Sequence, residues 1–188
     1  MEESVIQKAV KGDIQAYKKI FDFYMPRMRP LCLRYVRTDF EADDILQESF
    51  IKIFKNLKQF QFKGSFEGWI KRIVINTALT YYKKNFTLFV IDNVEEIDES
   101  DIEQDTVGEI EDTDTSDLLK IIDELPPGYK LVFNLYVMED YSHKEIADML
   151  GISEGSSRSQ YSKAKKMIIK LLSRQRNEDK SSLLRKMQ

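Results

Sequence analysis

Residues 142–172 read SHKEIADMLGISEGSSRSQYSKAKKMIIKLL, and this stretch decides how the C-terminal part of the chain folds. Ser142 and Glu145 have the spacing of a capping box, in which each side chain bonds the backbone of the other residue and starts a helix. Gly151 follows, where a helix can end in the left-handed conformation that glycine adopts without strain. Because apolar residues recur at helical spacing on both sides of the glycine, the stretch predicts two short helices joined by a tight turn. These residues are Ile146, Ala147 and Leu150, then Tyr161, Ala164, Ile168, Leu171 and Leu172.

The second of these helices carries a polar and basic face opposite its apolar stripe. Ser153 has the side chain and the position to cap its first turn. Hydroxyl, amide and cationic side chains donate the hydrogen bonds that base edges and phosphates accept. The stretch therefore predicts a helix-turn-helix whose second helix enters the major groove of DNA, with an ordinary helical hairpin and a solvated basic face as the alternative. The candidate contact residues are Ser153, Ser156, Ser157, Arg158, Gln160 and Lys163.

The formal net charge of -3 conceals an uneven distribution along the chain. Residues 1–86 carry 16 basic and 10 acidic side chains, and residues 118–188 carry 13 and 9, so both ends are cationic. Residues 87–117 carry 13 acidic side chains and no lysine or arginine. Since like charges at this density repel each other and the segment lacks sustained apolar periodicity, we expect a mobile or extended linker between two modules.

The chain has too few cysteines, histidines and long apolar segments for a protein with internal disulfides, a cysteine and histidine zinc site or a membrane helix. Cys32 and His143 are the only residues of their types, which excludes an internal disulfide and a zinc site built from cysteines and histidines of this chain. No stretch approaches the roughly 18 apolar residues of a membrane helix, and residues 1–4 lack the basic start of a signal peptide. We therefore expect a soluble cytoplasmic protein without a metal or a cofactor.

Helical spacing of apolar residues continues through the first 86 residues. From Ile14 to Met28, apolar residues recur at steps of three and four residues, which predicts a pair of helices. Pro26 is expected to restart a helix, and Pro30 is expected to limit or bend it. A clearer amphipathic helix follows, and its outer face is acidic and polar. Its apolar face consists of Ala42, Ile45, Leu46, Ser49, Phe50, Ile53 and Leu57.

An aromatic and basic loop, residues 60–65, separates this helix from a further helical stretch that begins at Phe66. After the acidic segment, residues 118–125 predict another helix. The apolar run 131–138 is ambiguous by its period alone, but Pro127 suits the first turn of a helix and favours helix over strand. The sequence thus predicts an all-α chain of two small helical domains joined by the acidic linker.

The order of these segments resembles the extracytoplasmic-function sigma factors of bacterial RNA polymerase, which are small members of the sigma-70 family. The most specific match is EIADMLGISEG at residues 145–155, which closely matches the family's region four. DILQE at residues 44–48 looks like the signature of region two, and FEGWIKRIVIN at residues 66–76 is similar to the family's Trp-led helix. The resemblance implies a region-two domain over residues 1–86, a linker over 87–117, a region-four domain over 118–175 and a polar tail over 176–188.

Region two of this family binds core polymerase as well as promoter DNA. The resemblance implies that Asp44, Gln47 and Glu48 meet the clamp helices of the largest polymerase subunit. Acceptors at positions i, i+3 and i+4 of a helix suit arginine side chains on a partner helix. An ordinary solvated helix face has the same composition, so the surrounding matches carry this assignment.

The resemblance also assigns the Trp-led helix and the loop before it to the melted minus-ten element, with the loop accepting a base flipped from the non-template strand. Aromatic faces stack unpaired bases at about 1 to 3 kcal/mol each, and lysine and arginine attract phosphates. A lone tryptophan in an apolar stripe is also expected to pack in the core. The predicted minus-ten residues are Phe62, Lys63, Gly64, Ser65, Trp69, Arg72, Asn76, Lys83 and Lys84.

The resemblance to region four implies that the helix-turn-helix binds minus-thirty-five duplex through the six contact candidates given above. The family often has TVKSR where this chain has SSRSQ at residues 156–160, which changes the reading face. Ile75 and Thr80 also depart from common family members, so base preferences are expected to differ at both promoter elements. The implied partners are core RNA polymerase, through its clamp helices and flap, promoter DNA and an anti-sigma factor. No small-molecule substrate is implied.

Two other classes of protein share parts of this pattern. A helix-turn-helix transcription regulator that acts without a polymerase holoenzyme would need a sensing domain, and no α/β receiver pattern precedes Asp117. An enzyme would need metal ligands held by ordered structure, which an unpatterned acidic run does not supply. His143 sits in a capping box with no nucleophile pattern nearby, so it is expected at the surface, and no catalytic residue is predicted.

Overall fold

A computed structural model describes residues 1–36, 38–86 and 115–186 of the chain. Every regular element in these ranges is a helix, which confirms the all-α prediction. The described residues form two compact units, one within residues 1–87 and the other within residues 88–188.

Within the described ranges, the N-terminal unit is built from α1 (Glu3–Val10), α2 (Ile14–Leu33), α3 (Asp39–Asn56), a 3-10 turn (Leu57–Gln59) and α4 (Phe66–Phe86). The C-terminal unit is built from α5 (Thr115–Asp123), α6 (Pro127–Phe133), a π-helical turn (Asn134–Met138), α7 (His143–Leu150) and α8 (Glu154–Lys186). None of these helices combines the length and the apolar composition that a membrane crossing requires.

Helix α2 continues through Pro26 and Pro30, where the sequence predicted a break between two helices. Each proline removes a backbone N–H and leaves the carbonyl four residues earlier without its helical partner. Both rings are exposed, so water can bond such a carbonyl, and the buried stripe of α2 passes both positions without interruption. The packing of this stripe outweighs the local loss, and the predicted pair of helices is wrong. The stripe consists of Ala16, Ile20, Tyr24, Met28, Leu31 and Cys32.

Helix α3 is the centre of the N-terminal unit and packs against both α2 and α4. Thr38 and Glu41 close a capping box at its start. Its predicted apolar face is buried, which confirms the amphipathic interpretation. Arg29 of α2 donates to Asp39 at 2.6 Å and to Asp43 at 2.8 Å, so the first turns of α3 are tied to α2.

The core of the C-terminal unit involves α5, α6 and α8. The run 131–138 is helical, as predicted, and forms parts of α6 and the π-helical turn. Helix α5 begins at Thr115, so the last three residues of the predicted linker are helical, whereas residues 87–114 lie outside the described residues. Helix α8 continues to Lys186, so it crosses the predicted domain boundary at residue 175 and includes most of the predicted tail. The buried cluster comprises Ile121, Ile122, Leu125, Phe133, Ala164, Ile168 and Leu172.

Gly151 ends α7 with a backbone φ of 74°, in the left-handed region that a β-carbon disfavours. A β-carbon added there would meet no atom within 4 Å, so only the backbone opposes a substitution. We expect Gly151→Ala to destabilise the C-terminal unit by about 1 kcal/mol. Gly151→Asn is expected to destabilise it less, because asparagine tolerates this region better. Amide hydrogen exchange in α7 and α8 measures both effects.

Gly155→Ala is the matched control for this prediction. Gly155 is the second residue of α8, and its added β-carbon would make only an ordinary contact of 3.8 Å with Ser153 Oγ. Alanine at this position is therefore not expected to speed exchange in α7 and α8, since it loses less backbone freedom on folding than glycine does. Equal losses of protection in the two alanine variants would show that the left-handed backbone at Gly151 is not the cause.

Candidate functional site

The helix-turn-helix is formed by α7, the turn at Gly151 and the first turns of α8, as the sequence predicted. At the start of α7, the Ser142 hydroxyl accepts from the Glu145 N–H at 3.3 Å, and the Glu145 carboxylate accepts from the Ser142 N–H at 2.9 Å. Ser153 caps α8 by accepting from the Ser156 N–H at 2.9 Å. Both helices therefore start at the residues that the sequence identified.

Arg158 projects from the first turns of α8 with 67% of its side chain exposed. Its guanidinium bonds the Glu154 carboxylate at 2.5 Å, one turn earlier on the same helix. An exposed ion pair of this kind contributes little to stability. The guanidinium can therefore exchange the carboxylate for a phosphate or for the edge of a guanine.

Three other predicted contact residues, Ser156, Gln160 and Lys163, are half-buried. The Gln160 amide lies over the start of α6, since a β-carbon added at the second residue of α6 would lie 3.0 Å from Gln160 Oε1. The Ser156 hydroxyl lies 2.8 Å from that of Ser153. Of the six predicted contact residues, only Ser153 and Arg158 are more exposed than half-buried.

Ser157 is not available to DNA, which corrects the prediction that it contacts bases or phosphates. Its side chain is completely buried, and its hydroxyl lies 3.0 Å from Nδ1 of His143. His143 is half-buried beside a surface groove, and its ring stacks on Tyr136 at a centroid distance of 4.4 Å. Burial lowers the pKa of His143, and the nearby Arg158 lowers it further, whereas Glu154 acts in the opposite direction. The histidine therefore belongs to the packing between α7 and α8.

Helix α4 presents a polar and cationic stripe on the side opposite its buried face. Arg72, Asn76, Lys83 and Lys84 are all exposed, as a contact surface requires. Ile75 is only 2% exposed, so its departure from common family members affects packing rather than base contacts.

The start of α4 and the loop before it form an aromatic cluster that the sequence indicated only in part. Trp69 is half-buried, and its ring lies 5.7 Å from that of Phe66 and 5.6 Å from that of Phe60 between centroids. Phe60 and Phe66 are buried, and Tyr24 of α2 extends the cluster through Phe66. Trp69 therefore packs, as expected for a residue of an apolar stripe, and it also reaches the surface.

Phe62 projects from this loop with 40% of the residue exposed. Its φ is 56°, a left-handed conformation that bulky residues rarely adopt. The ring centroid lies 5.0 Å from that of Phe60. An exposed aromatic face thus continues the buried cluster out to solvent.

The other predicted loop residues, Lys63, Gly64 and Ser65, are exposed as well. Gly64 has a φ of 91°, which glycine alone adopts readily. The Ser65 hydroxyl accepts from the Gly68 N–H at 3.3 Å and so helps to start α4. The loop brings an exposed ring and a lysine next to the start of a cationic helix.

Asp44, Gln47 and Glu48 are exposed on the outer face of α3 and are called the docking stripe below. Glu48 bonds Lys52 at 2.7 Å one turn later, with 55% of the Glu48 side chain still exposed. The docking stripe is therefore a solvated surface of hydrogen-bond acceptors that a cationic partner helix can bind.

Comparison with protein families gives two matches. Residues 20–86 match the family model described as Sigma-70 region 2, and residues 115–168 match the one described as Sigma-70, region 4. The first match contains the docking stripe, the aromatic loop and α4. The second contains the whole helix-turn-helix.

Similar proteins and a similar solved structure are also named as sigma factors. The ECF RNA polymerase sigma-E factor of Haemophilus influenzae is 28% identical over 179 residues, which cover 89% of this chain and 93% of the relative. The ECF RNA polymerase sigma factor SigW of Bacillus subtilis is 26% identical over 178 residues, covering 89% and 94%. Among solved structures, the sigma factor RpoE in complex with the anti-sigma factor NepR from Bartonella quintana has a TM-score of 0.52 at 18% identity, covering 85% of this chain and 98% of that one. At this identity the likeness to RpoE concerns the fold alone.

Proposed function

The chain belongs to the extracytoplasmic-function branch of the sigma-70 family of RNA polymerase sigma factors and directs promoter-specific transcription, and we propose how its surfaces divide that task. The N-terminal unit binds core polymerase through α3, and it binds the opening minus-ten element through α4 and the loop before it. The C-terminal unit binds minus-thirty-five duplex. Polymerase supplies the catalysis, so the chain acts as a binding subunit.

The exposed ring of Phe62 beside a cationic helix is the observation that carries this proposal. A large apolar side chain held in a left-handed backbone costs free energy in the unbound protein, and such strain clusters at ligand sites. An unpaired base offers a flat partner that stacks on the ring. Arg72, Lys83 and Lys84 lie exposed along α4, where they can follow the phosphates of the same strand. Single-stranded DNA is the ligand that fits this combination best.

We place the clamp helices of polymerase on the docking stripe. Carboxylates and an amide spaced one turn apart can accept hydrogen bonds from the planar guanidinium groups of arginine side chains. Because the Glu48–Lys52 pair is exposed and weak, an arginine of the partner can replace Lys52 at little cost. By the same family likeness, the polymerase flap holds the C-terminal unit.

The helix-turn-helix supports binding to duplex DNA at the minus-thirty-five element. In this class of motif, the first turns of the second helix contact base edges in the major groove. Arg158 and Ser153 occupy those turns and are exposed, while Ser156, Gln160 and Lys163 offer their exposed edges. Ser157 is left out of this interface because it is buried.

An anti-sigma partner and a cytoplasmic site of action complete the proposal. The Bartonella quintana relative was solved in complex with an anti-sigma factor, and a protein that covered α3 of this chain would keep it from polymerase. Transcription takes place where polymerase meets the chromosome, so we expect the chain to act in the cytoplasm.

Reconstitution with core RNA polymerase tests the whole proposal. We expect the purified full chain to make core polymerase start transcripts at discrete sites on genomic DNA fragments. Core binding without selection of start sites would overturn the promoter-reading part. Duplex binding by a chain that neither associates with core nor yields discrete transcripts would favour the alternative, a regulator that acts without a holoenzyme.

Phe62→Gly tests base stacking while sparing the backbone, because glycine adopts a φ of 56° without strain. We expect strand opening to lose about 1 to 3 kcal/mol of stacking. Reduced permanganate reactivity of unpaired thymines in the minus-ten element measures this loss. Core binding is expected to stay unchanged, since the ring lies outside α3.

Gln61→Gly is the matched control, because Gln61 is exposed in the same loop and also becomes glycine. It adds the same flexibility without removing a ring. Normal strand opening by Phe62→Gly, or an equal defect in the two variants, would contradict the stacking role.

A further inference from the structure

We propose that His143 and Ser157 form a positioning pair that fixes the first turns of α8 against α7, so that the neutral imidazole favours minus-thirty-five binding. This inference rests on the proposed function of the C-terminal unit. It concerns how the DNA-reading face is held, and it places neither side chain in contact with DNA.

The pair joins the first residue of α7 to the first turns of α8. Nδ1 of His143 lies 3.0 Å from Oγ of Ser157, and the Ser157 side chain is completely buried. A buried hydroxyl loses its water partners on folding and depends on a partner inside the protein. Ser156 and Arg158 flank Ser157 in the sequence. A rotation of α8 that breaks the contact therefore moves two proposed DNA contacts at once.

The His143 ring is held from two further directions. It stacks on Tyr136 of the π-helical turn, with 4.4 Å between centroids and 8° between ring planes. Tyr161 of α8 lies 5.7 Å from it between centroids. A π-helical turn is an irregular element found frequently at functional sites, and here it supplies the stacking partner. The imidazole thus connects the π-helical turn, α7 and α8.

The contact involves the single histidine of the chain. Nδ1 of the neutral ring can accept from the Ser157 hydroxyl, whereas both nitrogens of the protonated ring can only donate. The hydrogen bond therefore changes its direction with the protonation of the ring. A valine in place of Ser157 would pack by apolar contact alone, which does not depend on pH.

The surroundings of His143 oppose its protonation. Burial lowers the pKa of His143 and Arg158 adds to this effect, while Glu154 raises it. As the pH falls below about 6.5, the unfolded chain therefore takes up a proton before the folded histidine does, and the packed arrangement loses stability. The other ionisable side chains that line the groove beside the ring are Asp140, Tyr141, Lys144 and Glu145.

The test uses the full chain and a duplex enriched by the wild-type chain from a random-sequence pool. Ser157→Val and His143→Phe each leave one polar group without its partner, so we expect each to weaken binding about tenfold at fixed salt. Phenylalanine keeps a ring that can stack on Tyr136. The double variant replaces both groups by apolar ones and is expected to bind within about threefold of wild type.

The pH profile separates a positioning role from ordinary packing. Wild-type affinity is expected to fall as the pH is lowered from about 7.5 to about 5.5, because a His143 ring released from the packed arrangement takes up a proton more readily than the packed ring, and protonation therefore favours the released arrangement. The double variant has no such group and is expected to bind with nearly constant affinity. Ser157→Thr keeps the hydroxyl and is expected to keep both the affinity and the profile.

Wild-type affinity in Ser157→Val, or a double variant whose pH profile parallels that of wild type, would overturn the inference. Circular dichroism reports whether each variant folds. If the single variants unfold, the pH profiles of duplex binding by Ser157→Thr and by the double variant still show whether binding depends on the contact between His143 and Ser157. Failure of the wild-type chain to enrich any duplex would instead overturn the proposed minus-thirty-five role, and it would be seen before any variant is compared.

Discussion

A chain carrying Glu48→Lys is expected to lose core RNA polymerase binding by roughly 2 kcal/mol or more, because like charges then face each other across the interface. The substitution replaces the 2.7 Å ion pair with Lys52 by two ammonium groups one turn apart. An arginine of the clamp that meets Asp44 and Gln47 would be repelled by both. Competition with a labelled wild-type chain for core polymerase measures the loss. Duplex binding by the C-terminal unit is expected to persist.

Asp22→Lys on α2 provides a closely matched control. The Asp22 side chain is 55% exposed, as is that of Glu48, and it pairs with Lys18 one turn earlier at 2.6 Å. We expect this variant to compete for core polymerase almost as well as wild type. Equal defects in the two variants would indicate a general effect of net charge. Undiminished competition by Glu48→Lys would remove the docking stripe from the interface.

Arg158→Ala is expected to weaken binding to a selected minus-thirty-five duplex by about 1 to 3 kcal/mol, the range for one bidentate base contact. Arg158→Lys separates two kinds of contact. Lysine can still bind a phosphate but cannot present a planar fork to guanine. A loss close to that of alanine would therefore identify a base contact. Fluorescence anisotropy at fixed salt measures both variants, since affinity depends strongly on salt.

Lys170→Ala is the control for Arg158→Ala on the same helix. Lys170 is exposed but lies about three turns further along α8, away from the turns that are proposed to enter the groove. Lys170→Ala is expected to change the affinity for duplex DNA little, and by a similar amount for any DNA sequence. An unchanged binding isotherm for Arg158→Ala would refute its role as a base contact.

Helix boundaries in the C-terminal unit could be predicted because their causes are local. Ser142 and Ser153 act on backbone groups of the next turn, and Gly151 acts through its own φ. None of these interactions depends on how distant parts of the chain pack. The outer faces of α3 and α4 were predictable for the same reason, since helical periodicity alone separates buried from exposed positions.

The continuity of α2 could not be predicted from local preference. Pro26 and Pro30 both disfavour a helix interior. Whether a helix continues through them depends on the free energy of burying its other face, and that face packs against residues far away in the sequence. The aromatic cluster at α4 is similar, because Tyr24 joins it only through the tertiary fold.

Ser157 was placed on the wrong face although the sequence held a signal for its burial. The apolar stripe of α8 runs through Tyr161, Ala164 and Ile168, and one turn before Tyr161 the same stripe passes through Ser157. A polar residue type at that position suggested a polar environment. The partner that satisfies it, His143, lies on another helix and is found only when α7 and α8 are packed together.

The two bonds from Arg29 give neighbouring aspartates separate tasks. Asp43 is held by this arginine at 2.8 Å, whereas Asp44 faces solvent in the docking stripe. Arg29 therefore fixes the turn of α3 that displays Asp44 before any partner binds. In the proposed complex, less conformational entropy is then lost when polymerase docks. Of two neighbouring aspartates, one holds the fold and the other is left for the proposed contact.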